Sequence, residues 1–198
     1  MNNIVNIRSF TTARGVPTVI FVDLQKEYIA APRLIAIPNI QRALDNCRRV
    51  LNHARSAGLP VVFVRWMQSA APFFNSASPF VGWIEGFEPQ RNEMIFERKQ
   101  PSCYSSDDFT QLMEHGGADI VLVGFAGESA CLSTMVDAFH RNHRIVYLKD
   151  ASASHGLVDL SADDVHGAVS RIAALYGVVS STDAWIVNET QRAAVGGD

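Results

Sequence analysis

The feature that most constrains this chain is a series of short runs, most of them continuously apolar, separated by segments with helical spacing. From Pro17 to Val22 the residues are β-branched or apolar throughout and meet an acid, Asp23, at their end. PVVFVRW, EMIFER, DIVLVG, RIVYLKD and GVVS follow in that order. Runs such as TVIFV and DIVLV have no polar face to offer water, so they read as strands covered on both sides. Between the first two, Ile40, Ala43, Leu44, Cys47, Val50, Leu51 and Ala54 keep helical spacing until Gly58 and Pro60 stop it. Further helices are expected to open at Ser106 with Asp107 and Asp108, near Ser129, and at Ser161, the last with Val165, Ala168, Val169, Ile172 and Tyr176 on its apolar face. Strands alternating with helices predict an α/β three-layer sandwich around a six-stranded, mostly parallel sheet. Ligands of such sheets bind beyond the carboxyl ends of the strands. The loops after strands one, three and four, carrying Asp23, Lys99 and Cys131, are therefore expected to converge.

Composition narrows the partner. Seventeen basic residues against 20 acidic ones, a net charge of -3, supply no strong positive field for nucleic acid or anionic lipid. A small-molecule substrate is expected, with neither nucleic acid nor membrane as partner. The opening residues MNNIVNIRSFTTARG lack the apolar stretch of a leader, and the three cysteines, Cys47, Cys103 and Cys131, are too scattered for a disulfide framework or a paired zinc motif. These features predict a cytoplasmic protein. The 198 residues are in the range of one domain, 1–198, and residues 68–91, rich in Ser, Ala, Pro, Phe and Gly, are expected to form a lid or interface loop.

VDLQ after the first strand, a lysine after the third and GFAGESACLSTMVDAF after the fourth, with DASAS after the fifth, resemble the isochorismatase-like, or cysteine hydrolase, superfamily along nearly the whole chain. That superfamily includes nicotinamidase, N-carbamoylsarcosine amidohydrolase and isochorismatase. The resemblance implies a parallel six-stranded sheet and, in its amidohydrolase branch, an Asp, Lys and Cys acting together. A thiolate attacks the amide carbon, a carboxylate carries the proton to the leaving amine, and an ammonium keeps both charged. Asp23 and Lys99 match two of these roles, and backbone N–H groups of the turn Gly127 to Cys131 would receive the oxyanion.

The third role is not matched in register. With Gly124, Glu128, Thr134 and Asp137 as anchors, the family's nucleophile slot holds Ala130, and Cys131 is one place late. One residue along an α-helix is a rotation of about 100° and a rise of roughly 1.5 Å. Gly127, in the usual threonine slot, would permit a local one-residue adjustment that brings Cys131 to the cleft. Isochorismatases offer another precedent, because they carry glycine in this slot and cleave a vinyl ether with the aspartate as general acid. Three functions thus stay open: thioester hydrolysis of a small amide, ureide or related C–N bond through Cys131; nucleophile-free hydrolysis through Asp23, or Ala130 standing where a cysteine was replaced; and a small-molecule binder that has lost catalysis.

Each candidate has a plainer reading. An acid directly after a buried strand requires a partner, which favours a functional Asp23. Lys99 beside Arg98 is, taken alone, half of a solvated pair. Cys131 is equally a small core residue, and Cys103 an inert one or a reserve nucleophile. Trp66 and Tyr104 are candidate substrate-pocket walls, although aromatic residues commonly serve packing. His140 and His143 suit a helix carboxyl end better than a metal, and His155 reads as a loop residue. Neither metal nor cofactor is expected, and the resemblance implies a homo-oligomer.

Overall fold

The computed structural model describes residues 15–116 and 119–195; residues 1–14, on which the expected absence of a leader rests, lie outside them. The elements are β1 (Thr18–Val22), α1 (Gln41–Ser56), β2 (Val61–Trp66), β3 (Met94–Arg98), α2 (Asp107–Gly116), β4 (Asp119–Gly124), α3 (Leu132–His140), β5 (Arg144–Ser152), α4 (Ala162–Ala173), β6 (Val178–Ser180) and α5 (Thr182–Val195). The six strands form one sheet in the order β3-β2-β1-β4-β5-β6, and every adjacent pair is parallel. The expectation of a mostly parallel six-stranded sheet is met by a wholly parallel one.

Alternation along β1 shows how the sheet fills both layers. Val19 and Phe21 join an apolar cluster with Leu44, Val50, Leu51 and Trp185, whereas Ile20 and Val22 join another with Phe109, Met113 and Met135. Successive strand side chains point to opposite faces, so a run apolar at every position serves both clusters. Each fully buried side chain of this size contributes about 1.5–3 kcal/mol relative to exposure. Helix α1 buries Ala43, Leu44, Cys47, Val50, Leu51 and Ala54, and Gly58, at φ 65°, ends the segment in the left-handed region where glycine is least strained.

Two helices differ from expectation. Helix α4 buries Val165, Val169 and Ala173, while Ala168 and Ile172 are exposed. Helix α5 was not anticipated, because its apolar residues do not form a stripe; it is held by buried Trp185 and by Asp150, whose Oδ1 accepts from Thr182 N at 2.8 Å and Oγ1 at 2.9 Å. Among the described residues no helix is long and apolar enough to cross a membrane.

The strand order places the chain's change of direction between β1 and β4. From β1 the chain proceeds through β2 to β3 on one side, then returns to β4 and proceeds to β6 on the other. At such a switch point the connections leave on opposite sides and open a crevice at the carboxyl ends. Asp23 follows β1 there and the Gly127 turn follows β4. The approach is close: at Gly124, where φ is 114°, a Cβ would lie 2.0 Å from the Val22 carbonyl oxygen.

Candidate active site

Asp23 stands one residue beyond β1, fully buried, with φ 50°, in a backbone region that a residue with a Cβ seldom adopts. Its carboxylate is gripped by Arg98, the last residue of β3: Nε donates to Oδ1 at 3.3 Å and Nη2 pairs with Oδ2. β3 is two strands from β1, and only a long side chain crosses that gap. Arg98 does so over β2, its guanidinium lying 4.2 Å above the Trp66 ring. The buried fork thus has an ionic partner on one side and an aromatic face on another.

Other residues fix the pair. The Tyr28 hydroxyl donates to Asp23 Oδ2 at 3.4 Å. Gln25, fully buried, donates from Nε2 to the Trp66 carbonyl at 3.0 Å and the Val81 carbonyl at 2.9 Å, and its Oε1 accepts from Trp66 N at 2.9 Å. That amide ties the β1 end to the β2 end and to the turn at residues 79–81. Phe74 closes the group, with ring centroids 5.9 Å from Trp66 and 5.4 Å from Tyr28. Within segment 68–91, Phe74, Val81, Ile84 and Phe87 are all buried against the sheet.

The electrostatics follow from burial. Loss of water pushes the Asp23 carboxyl above the ordinary carboxylate range, and the Arg98 charge and hydrogen bonds pull it part of the way back. Burial works against the Arg98 charge, but Asp23, with smaller contributions from Cys103 and Tyr28, more than offsets it and the guanidinium stays ionised. Tyr28 is held well above the ordinary phenol range by burial and by Asp23, so it remains a donor. Burial thus opposes ionisation of Asp23, while Arg98 and Tyr28 stabilise its carboxylate.

Lys99 is not the partner of Asp23. Successive residues at a strand end alternate in direction; Arg98 points inward, 1% exposed, and Lys99 is exposed to solvent. The cation that meets Asp23 is Arg98, the last residue of the third strand and not the lysine after it. Tyr104 is likewise misplaced as a pocket wall. Its ring packs edge-on against Phe109 at 5.1 Å, its hydroxyl meets His143 Nδ1 at 2.6 Å, and the Arg141 guanidinium lies 4.9 Å from its centroid. These contacts bind it between α2 and α3. Trp66, half-buried, does adjoin the Asp23 pair.

The turn after β4 contains the one-residue adjustment that Gly127 was expected to permit. Residues Gly127–Cys131 form a widened helical turn in which Cys131 N donates to Ala126 O, five residues back, at 3.1 Å. It does not deliver the thiol to Asp23. Cys131 is fully buried in the cluster that holds Ile20, Val22 and Met135, with Sγ 3.5 Å from Gly124 O and 3.8 Å from Ser152 Oγ. Burial pushes the thiol well above its ordinary range, which disfavours the thiolate. Ala130, in the nucleophile slot, is fully buried and brings no reactive atom. Of the N–H groups expected to receive an oxyanion, three are engaged by carbonyls, Gly127 N with Ala153 O at 2.8 Å and both Ser129 N and Cys131 N with Ala126 O at 3.3 and 3.1 Å. Cys103 is buried too, its thiol pushed up to about 12 by burial despite Arg98 nearby. Since only thiolate alkylates readily, iodoacetamide is expected to leave all three cysteines unmodified in the native protein at neutral pH and to modify all three in urea. Rapid native labelling at Cys131, mapped by peptide mass, would contradict the buried placement.

Glu128 and His155 make a contact that spacing did not foreshadow. His155 Nδ1 lies 2.7 Å from Glu128 Oε1 and its Nε2 lies 2.9 Å from the Ile35 carbonyl. Both partners only accept, so the arrangement is satisfied when both ring nitrogens carry protons. The hydrogen bond to Glu128 raises His155 above the ordinary imidazole range. Glu128, against the cost of burial, is lowered by His155. The sign of the pH dependence follows. The His155 contribution is full below the unfolded imidazole pKa and is lost as pH rises through the raised folded value; the Glu128 contribution is lost as pH falls through its lowered one. Urea midpoints should therefore fall on the alkaline side in the parent, and this slope should flatten in Glu128→Gln. An unchanged slope would remove the clasp as its source.

Residues 17–184 match the isochorismatase domain family. Among curated proteins, an uncharacterized isochorismatase family protein of Bacillus subtilis (strain 168) is 24% identical over 176 residues, covering 85% of this chain and 97% of that protein. A streptothricin hydrolase of Streptomyces noursei is 28% identical over 165 residues, 80% of this chain but only 58% of the hydrolase. Among solved structures, an isochorismatase from Pseudomonas putida KT2440 superposes with a TM-score of 0.80 at 26% identity, covering 87% of this chain and 91% of that one. With a parallel sheet in this strand order, a buried acid at its switch point and a family match over most of its length, this chain belongs to the isochorismatase domain family, whose members are hydrolases.

Proposed function

We propose that this protein hydrolyses a small polar substrate without a covalent intermediate, with Asp23 as general acid. The observation that supports this reading most is the contrast between Asp23 and Cys131: a buried carboxyl whose ionised form has an arginine fork and a tyrosine hydroxyl ready for it, beside a thiol that burial keeps protonated and without a base. In the reaction the Asp23 proton passes to the leaving heteroatom as its bond to carbon breaks. Water supplies hydroxide to that carbon and returns a proton to the carboxylate, so the acid is regenerated. Arg98 stabilises the carboxylate through the interval, and Tyr28 donates to the same oxygen. Substrate reaches Asp23 by displacing the aromatics packed beside it, and segment 68–91, whose Phe74 stacks on Trp66, is the part that moves.

The streptothricin hydrolase relative suggests where to begin. A panel of streptothricin, small amides, ureides and vinyl ethers should contain a substrate whose turnover is unchanged in Cys131→Ser. Loss of turnover in that folded variant, with a substrate-derived adduct on the parent thiol, would reinstate thioester chemistry.

A further inference from the structure

Beside the Asp23 site, at the carboxyl end of β5, lies a second group of reactive side chains. Ser154, 1% exposed, has its Oγ 3.1 Å from His166 Nδ1, and His166 Nε2 lies 2.7 Å from the Lys149 carbonyl. A carbonyl oxygen only accepts, so Nε2 must carry the proton, and the neutral ring then presents Nδ1 as an acceptor to the Ser154 hydroxyl. That is a nucleophile bonded to a base whose tautomer and orientation are fixed by a third group. The Glu128 carboxylate, held by His155, lies on the same side.

Both residues line a cavity of about 280 Å³ between the first turns of α1 and α4. Arg42 and Lys149 line it as well, and neither side chain has a hydrogen-bond or ion-pair partner among the described residues. Of the two carboxylates on its wall, Asp150 is engaged by Thr182, which leaves Asp163 against two free cations. The backbone at Gly127 makes the pair possible. A Cβ there would lie 2.7 Å from Ser154 Oγ and 3.3 Å from His166 Nδ1, so a side chain at this position would crowd the pair and one of the two would have to shift.

We propose that Ser154 is a nucleophile activated by His166, in a cavity that takes the acyl part of a small, negatively charged carboxylic ester. Ser154 Oγ bonds to the acyl carbon while its proton passes to His166 Nδ1. The carbon–alkoxide bond breaks and the alcohol leaves with that proton. Water then cleaves the acyl–serine bond by the same route in reverse, so no other reactant is needed. Neither Asp23 nor a thiol takes part.

A small organophosphorus fluoride tests the centre with the protein as it is. The Ser154 oxygen forms a bond to phosphorus, fluoride leaves, and intact and peptide masses locate the adduct. One phosphoryl group on Ser154 is expected, none on Ser154→Ala, and labelling at least about 100-fold slower in His166→Ala, since a positioned base contributes that much or more. Gly127→Ala, by crowding the serine, should also slow labelling in a protein whose circular dichroism matches the parent's. No adduct on Ser154 under conditions that label a known serine hydrolase overturns the proposal. An adduct only at another residue, or a parental rate in His166→Ala, does the same.

Discussion

Asp23→Asn is expected to lower turnover on the substrate found by the panel by about 10²–10⁴-fold, the usual contribution of a positioned general acid. The substitution keeps the shape of the side chain and its place beside Arg98 and Tyr28 but removes the proton that the leaving atom must receive. The loss should fall on kcat and kcat/KM together, because the proton is transferred in the transition state and contributes little to ground-state binding. Asparagine also leaves the Arg98 guanidinium without its counter-charge in a buried site, so stability falls too. The assay therefore belongs at a temperature where circular dichroism shows the variant folded. Full turnover in such a variant would end the general-acid reading, whatever the status of the cysteines.

Arg98→Met should cost about 3–5 kcal/mol of folding stability, the range for removing one member of a buried ion pair. Methionine fills much of the same space and can lie on Trp66, so packing is largely kept and the loss isolates the charge. Asp23 would then lose the influence that pulls its pKa down and rise further under burial. A carboxyl raised in the folded state contributes stability at low pH that is lost as pH rises through the folded value, because the unfolded chain ionises first. The destabilisation should accordingly deepen from acid to neutral pH, as read from urea midpoints. Adding Asp23→Asn to Arg98→Met removes both buried charges and should restore part of the loss, which gives the coupling of the pair directly. A cost near zero for Arg98→Met alone would mean that Asp23 does not depend on the guanidinium seen against it.

Both predictions concern Arg98, whereas the sequence reading placed Lys99 against Asp23 and left Arg98 in a solvated pair. ERK at the end of β3 shows that cations follow the strand but not which one turns inward. The choice is a matter of strand parity, and parity is set by the register Val62↔Met94 through Trp66↔Arg98 against β2. The same holds at the turn after β4, where Ala130 and Cys131 differ by one residue. The widened turn and the packing of α3 on the sheet sent the thiol toward Ser152. Gln25 and His155 act across 41 to 120 residues of chain and Tyr28 through a short helical turn; VDLQ marked Gln25 only as part of a motif, and the partners of all three were set by distant packing.

The apolar runs, their lengths and the helical stripes between them determined the α/β class, the strand sequence and the position of Asp23 at the sheet's carboxyl edge, because hydrophobic periodicity is a local property that each segment carries alone. Which cation meets that acid, where the Cys131 sulfur lies, and how Ser154 comes against His166 were decided by the tertiary structure. The first two depend on a rotation of one residue and the third on where α4 docks, and only packing against distant segments fixes any of them.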